Sequence, residues 1–172
     1  MSPETRTGDV VELELPARPE VVSVARLVIG ALVAADPLFD EERSADLRLA
    51  VSEACTNAIQ AELAEIEADD GAEEREPIVM RCVLDDGLIT VSVTDHAGGF
   101  DPRDLQAHPE VTDPERLNYE GGLGIPLIKM LADDLEFQVT PQGTTVVMRF
   151  EPRTPGPRVV PGNGAGRPSA GG

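Results

Sequence analysis

Tryptophan is missing from this chain, and aromatic residues make up only 3% of it. With 41% hydrophobic residues overall, aliphatic side chains and alanine must fill any core it builds. Cysteine is scarce as well. Cys55 and Cys82 make no disulfide framework and match no zinc spacing, so buried free thiols are expected. There is no signal peptide and no apolar run long enough to span a bilayer, which makes a reducing cytoplasm the expected setting and a membrane an unexpected partner. Basic residues are few, 14 against 32 acidic ones, for a formal net charge of -18. Direct nucleic-acid binding is thereby disfavoured, because phosphate backbones select basic surfaces. Such a charge suits attraction to a basic protein partner, and a generic acidic surface explains it equally well. The 172 residues suffice for one domain with a real core, and no internal repeat is visible.

What is present reads in order as follows. Met1 to Gly8 is a polar, flexible tail, and residues 9–151 form the single domain. Val10 to Leu15 alternates apolar with acidic residues after its first pair and reads as an edge strand. Pro19 can open a helix at its first position, and Val21, Val24, Ala25, Val28, Leu32 and Ala35 recur at helical spacing. Gly30 in that helix offers close approach to a neighbour. Asp40 is the expected N-cap of a second helix running to about Ile66, followed by an acidic, solvated loop from Glu67 to Pro77. Ile78–Leu84 and Leu88–Thr94 flank Asp85-Asp86-Gly87, a strong hairpin signal. Asp101 to Tyr119, with Pro102, Pro109 and Pro114, is too long and polar for a tight connection and reads as a lid or as disorder. An amphipathic helix carrying Ile125, Leu127, Ile128 and Leu131 follows. Leu135–Val139 and Thr144–Phe150 are a last strand pair around Pro141-Gln142-Gly143, and the proline- and glycine-rich residues 152–172 read as a disordered tail. Strands and helices do not alternate, which predicts an α/β two-layer sandwich: a mixed, mostly antiparallel sheet with helices on one face.

Chemistry-bearing residues fall in four places. On the second helix Leu47, Val51, Ala54 and Ala58 form a core stripe. Glu53 and Asn57, four residues apart, project together elsewhere on that helix, with Asp46 and Gln60 along the same polar strip. A carboxylate and a carboxamide so placed can hold magnesium and orient an attacking hydroxyl, although taken alone a solvated pair is the simpler explanation. Asp95 ends a strand before Ala97-Gly98-Gly99, where it can accept from an exocyclic amine or merely start a turn. Gly121-Gly122-Leu123-Gly124 opens a helix, a setting that suits phosphate, yet no Walker lysine follows and no parallel unit surrounds it. At the start of the last strand, a hydroxyl of Thr144 or Thr145 can reach a nucleotide or simply belong to a β-branched strand residue. His96 and His108 are assigned no role, and no serine lies in a hydrolase-like arrangement.

The combination is more specific than its parts. Glu53 with Asn57, Asp95-x-Ala97-x-Gly99, Gly122-Leu123-Gly124 and Gly143-Thr144-Thr145 occur in that order across Val10 to Phe150. This resembles the GHKL ATPase superfamily with its Bergerat-type ATP-binding fold. The Glu53-Ala-Cys-Thr-Asn57-Ala58 run and the Gly122-Leu-Gly-Ile-x-Leu-Ile-x-x-Leu-x-Asp-Asp-Leu135 run are similar to those of the anti-sigma-factor serine/threonine protein kinases of bacterial partner-switching systems. The resemblance implies ATP and Mg2+ as cofactors, Glu53 as general base, Asn57 as magnesium ligand and Asp95 as the adenine contact. Gly99, Gly122 and Gly124 would line the phosphates, Ala97, Gly121 and Leu123 would belong to the same nucleotide site, and Thr144 or Thr145 would help hold the nucleotide. The implied partners are a sigma factor, which is sequestered, and a STAS-domain antagonist, phosphorylated on serine or threonine. Homodimerisation is common in such proteins; the first strand and the Val21–Ala35 helix offer surfaces for it that core packing explains equally well.

Three departures bear on activity. Ala61 stands where the family usually has a basic residue or histidine, Ala97 replaces a glycine, and Glu120 precedes Gly121 where related kinases often have an arginine. Two further readings therefore stay open: a regulatory module of the same fold that binds nucleotide or protein without phosphoryl transfer, and a sensor histidine kinase catalytic domain. Against the latter, no dimerising helix bearing a phosphoacceptor histidine is apparent.

Overall fold

The structure is a computed structural model that describes residues 8–68, 76–98 and 124–153. Most of the two expected tails, most of the acidic loop, and the expected lid lie outside the described residues. The described elements are β1 (Asp9–Leu15), α1 (Val21–Ala34), α2 (Glu41–Ala68), β2 (Ile78–Asp85), β3 (Leu88–Thr94), α3 (Gly124–Leu131), β4 (Asp134–Thr140) and β5 (Gly143–Phe150). The strands form one five-stranded sheet in the order β1-β2-β3-β5-β4, and every described pair is antiparallel. The two-layer arrangement expected from the sequence is present, and its sheet is antiparallel throughout the described strands.

Local chemistry sets these boundaries. The β2–β3 turn puts Asp86 at φ 46° and Gly87 at φ 84°, the two left-handed residues that a two-residue hairpin needs, and Asp85 pairs with Leu88 across it. Residues at every second position then share a face. Cys82, Val91 and Met148 form one cross-strand row; Met80, Val93 and Val146 form the next. These side chains are buried, as is Cys55 on α2, and Cys55 and Cys82 are free as expected. Burial pushes the Cys55 thiol up to about 12 and that of Cys82 up to about 11, so neither is a ready nucleophile.

The helices cover this face. Asp40 caps α2, its Oδ1 accepting the Arg43 N–H at 2.7 Å, and Glu41 and Glu42 complement the helix dipole. Leu47, Val51, Ala54 and Ala58 are buried as the stripe predicted, and Ala50, Cys55 and Ile59 widen it. Burying each larger aliphatic side chain contributes about 1.5–3 kcal/mol, which holds α2 on the sheet. Beside it, α1 begins at Val21, two residues later than Pro19 suggested. Pro19 instead lies in the preceding turn, its carbonyl accepting the Val22 N–H at 3.3 Å. At Gly30 a Cβ would stand 3.2 Å from Arg48 Cδ, so glycine does permit the close α1–α2 approach.

One buried cation ties the layers together. Arg43 is 2% exposed and donates to the Leu131 carbonyl at 2.6 Å, to the Glu151 carbonyl at 3.0 Å and to the Asp133 carboxylate. Its guanidinium also sits 5.0 Å from the Phe150 ring centroid. The start of α2 is thereby locked to the end of α3 and the end of β5. Arg43→Ala is expected to cost roughly 2–4 kcal/mol in urea unfolding, because it removes bonds to two carbonyls and to the half-exposed Asp133 carboxylate and leaves a void beside Phe150. Arg43→Lys should recover less than half of that, because one ammonium cannot serve three diverging acceptors. A loss under about 1 kcal/mol for Arg43→Ala would contradict this role.

Candidate functional site

Helix α2 presents Glu53 and Asn57 to the first residue of α3. A Cβ on Gly124 would lie 3.0 Å from both Asn57 Oδ1 and Asn57 Nδ2, and 3.2 Å from Glu53 Oε2. The pair is half-buried, and Asn57 Nδ2 has no partner among the described residues. An acid and an amide thus meet the N-terminus of a helix, in space that any other residue at 124 would fill.

The second component is Asp95, at the end of β3 and 7% exposed. Its backbone N–H donates to the Thr144 carbonyl at 2.9 Å, and its Oδ1 accepts from the N–H groups of Ala97 and Thr144, each at 3.2 Å. Both side-chain bonds use Oδ1, which leaves Oδ2 with no partner among the described residues. Burial pushes this carboxyl up to about 6; the Thr144 and Ala97 amides oppose that shift, Glu62 adds to it and His96 opposes it. Ala97 is buried beside it, small as expected.

Strand β5 makes this contact possible through Gly143. Its φ is 143°, and a Cβ there would stand 2.0 Å from the Asp95 carbonyl oxygen, so no side chain fits. The next residue, Thr144, is buried with its Oγ1 unpartnered among the described residues. Strand alternation separates Thr144 from Thr145, the two threonines expected near a ligand. Thr144 faces the cavity, whereas Thr145 points to the other face of the sheet and shares a 2.8 Å hydrogen bond with Thr94.

A cavity of about 170 Å³ lies between these parts, lined by Asn57, Ala61, Asp95, Ile125, Phe137 and Thr144 among others. That is space for a flat heterocycle rather than for a whole drug-sized ligand, which usually needs about 300–1,000 Å³. Gly99, Gly121, Gly122 and Leu123 lie outside the described residues, as do Glu120 and His108. Magnesium fits the donors present: it takes one or two protein oxygen ligands and completes its shell with phosphate and water. Glu53 and Asn57 supply such oxygens where residue 124 leaves room, and a half-turn of the Asn57 amide exchanges its oxygen and nitrogen.

Sequence reasoning missed Gly143 as a steric requirement, and it missed Glu62 and Glu65. Glu62 is fully buried on α2 and accepts the His96 N–H at 2.5 Å through Oε1; Glu65 accepts the Gly98 N–H. Nothing in a helical pattern separates such a glutamate from a solvated one. His96 itself pairs with Glu76 at 3.1 Å on the exposed side.

Comparison with known proteins gives a consistent answer. Residues 15–150 match the family described as "Histidine kinase-like ATPase domain". The serine-protein kinase RsbW of Bacillus pumilus is 34% identical over 146 residues, covering 83% of this chain and 85% of the relative. That of Listeria innocua is 36% identical over 143 residues, covering 81% and 85%. Among solved structures, the SiaB–SiaC complex from Pseudomonas aeruginosa gives a TM-score of 0.58 at 11% identity, over 81% of this chain and 88% of that one. The RsbU and RsbW domains of a Mycobacterium tuberculosis protein give 0.56 at 19% identity, over 83% of this chain and 32% of that longer one. At these identities the two structures share the fold.

Asp95 makes stability depend on pH. Unfolded, its carboxyl ionises near 3.8; folded, it keeps its proton to about 6. Between those values the native state binds more protons than the unfolded state, so the contribution to stability falls as pH rises through that window. Asp95→Asn keeps an acceptor oxygen and removes the titration. The variant is expected to exceed the wild type by about 1–3 kcal/mol in urea melts at pH 8, with the gap closing towards pH 4. Equal stabilities at pH 8 would contradict the burial argument.

Proposed function

The chain belongs to the histidine kinase-like ATPase domain family, and on that premise we propose that it is an ATP-dependent serine/threonine protein kinase acting as an anti-sigma factor. It would sequester a sigma factor and phosphorylate the STAS-type antagonist that competes for it. The observation that carries this reading is the meeting of Glu53, Asn57 and Gly124 beside one cavity that also holds Asp95 and Thr144. The naming of its relatives as serine-protein kinases at 33–36% identity supports the transfer reaction.

In this reading the base enters the cavity and its exocyclic amine donates to Asp95 Oδ2, the oxygen left over after Ala97 and Thr144 are served. The Thr144 hydroxyl gains a partner from the same nucleotide. The α3 N-terminus, with Gly121, Gly122, Leu123 and Gly124, receives the phosphates, and Ala97 and Gly99 leave room for them. Asn57 would hold magnesium with the phosphates, and the ion when bound would neutralise charge on them. Glu53 takes the proton of the attacking serine or threonine hydroxyl; the oxygen bonds to the γ-phosphorus and ADP leaves. The added phosphate would alter charge at the antagonist's interface and release it, keeping the sigma factor held. On α1, Val24 and Leu27 remain exposed and offer an apolar strip for a partner or a second copy. We assign this work to residues 9–151 as one unit.

One observation favours the non-catalytic alternative. The described lining of the cavity carries no cation, and Ala61 lies on it where relatives of the implied family have a basic residue or histidine. Labelled ATP with magnesium and candidate STAS proteins, those of neighbouring genes first, separates the readings. The kinase reading predicts label on serine or threonine, with Glu53→Gln slowing transfer by about 10²–10⁴-fold while ATP binding persists. Asn57→Ala should weaken magnesium-dependent ATP binding. Binding without transfer would move the assignment to the regulatory module, and no ATP binding at all would remove both.

A further inference from the structure

Beyond Asp95 the chain runs through His96, Ala97 and Gly98 without regular secondary structure, yet every backbone amide of the segment is used. The Asp95 N–H goes to the Thr144 carbonyl, that of His96 to Glu62, that of Ala97 to the Asp95 side chain and that of Gly98 to Glu65. Two of the four acceptors are carboxylates of α2, three residues apart on one side of the helix. Glu62 is the more telling, because it is 0% exposed. A carboxylate is costly to bury, and a solvated acid would not occupy that place. Charge-assisted bonds from backbone N–H groups are among the stronger hydrogen bonds available.

We propose that Glu62 and Glu65 are positioning residues for base recognition: they clamp the His96 and Gly98 amides, and so hold the Asp95 carboxylate beside the cavity it lines. The inference rests on the nucleotide reading above and deepens it. Glu53, Asn57, Glu62 and Glu65 all project from α2, and the stretch from Glu53 to Glu65 spans about 18 Å of helix. The helix therefore works as a ruler. One part of it meets the α3 N-terminus, where phosphates are assigned, and a later part anchors the loop of the base contact. The distance between the two ends of the ligand is then set by a rigid element rather than by loops. Glu62 also lies close enough to Asp95 to oppose its ionisation.

The test uses the full chain as wild type and as Glu62→Ala, Glu62→Gln and Glu65→Ala. In the ligand-free protein, amide hydrogen exchange should quicken at His96 in Glu62→Ala and at Gly98 in Glu65→Ala. ATP affinity should fall about tenfold or more in each alanine variant, as expected for losing a hydrogen bond to a charged group. If transfer is measurable, KM for ATP should rise with little change in turnover at saturating ATP. Glu62→Gln keeps an acceptor for the His96 amide and should restore most of the affinity; a role in core packing alone predicts no such split between KM and turnover. Unchanged exchange and unchanged ATP affinity in folded variants would overturn the clamp, as would a loss of turnover with KM unaltered. Should Glu62→Ala not fold, Glu62→Gln and Glu65→Ala still decide it. If the wild type binds no ATP, the nucleotide reading fails, while the exchange rates still report on whether the two glutamates hold the segment.

Discussion

A Cβ at residue 124 would press on the Asn57 amide and the Glu53 carboxylate, at 3.0 and 3.2 Å, and both would have to yield. That close approach of α3 to α2 is the constraint on which the site depends. It brings the positive end of a helix against an acid and an amide, and glycine at 124 leaves their side chains undisturbed. The approach is maintained from a distance. Arg43, at the start of α2, holds the last carbonyl of α3 and the chain beyond β5, so the two helices are pinned at one end and meet at the other. A second glycine applies the same principle at the other side of the cavity: Gly143 lets β5 pass against the Asp95 carbonyl and delivers Thr144 beside it.

Helix α2 therefore carries several duties on different faces. Its apolar stripe lies on the sheet, its first turn receives Asp40 and supplies Arg43, one polar flank faces α3, and Glu62 and Glu65 grip the loop after β3. A helix so employed tolerates little rotation. Turning it by one residue would move the stripe off the sheet and carry Asn57 away from Gly124 together. This shared dependence links the hydrophobic core to the geometry of the site, and it explains why a protein with so few aromatics can still fix polar groups closely: the small side chains Ala54 and Ala58 let the helix lie near the sheet.

Much of this could be read from residues. Periodicity located every described strand and helix, because alternation and the 3.6-residue stripe are local signals and the Asp-Gly turn is chemically specific. The i, i+4 pair of Glu53 and Asn57, and the placing of Asp95 at a strand end, were likewise legible. Three things were not. Thr144 and Thr145 are equivalent in sequence, and only the register of β5 tells which faces the cavity. Pro19 suits a helix start, but it lies in the turn before α1, where its carbonyl accepts the Val22 N–H. Glu62 looks like any helical glutamate, and its burial follows from a long-range approach of the loop after β3 that no local pattern encodes.

The central claim is that one nucleotide bridges α2, the end of β3, the start of β5 and the start of α3. The most direct measurement is a titration of isotopically labelled protein with ATP and magnesium, followed by amide and side-chain NMR. The account predicts saturable shifts concentrated at Asn57, Asp95, Gly124 and Thr144, with β1 and the outer face of β4 unmoved. Shifts confined to α1, or none at these four residues while ATP binds, would contradict it.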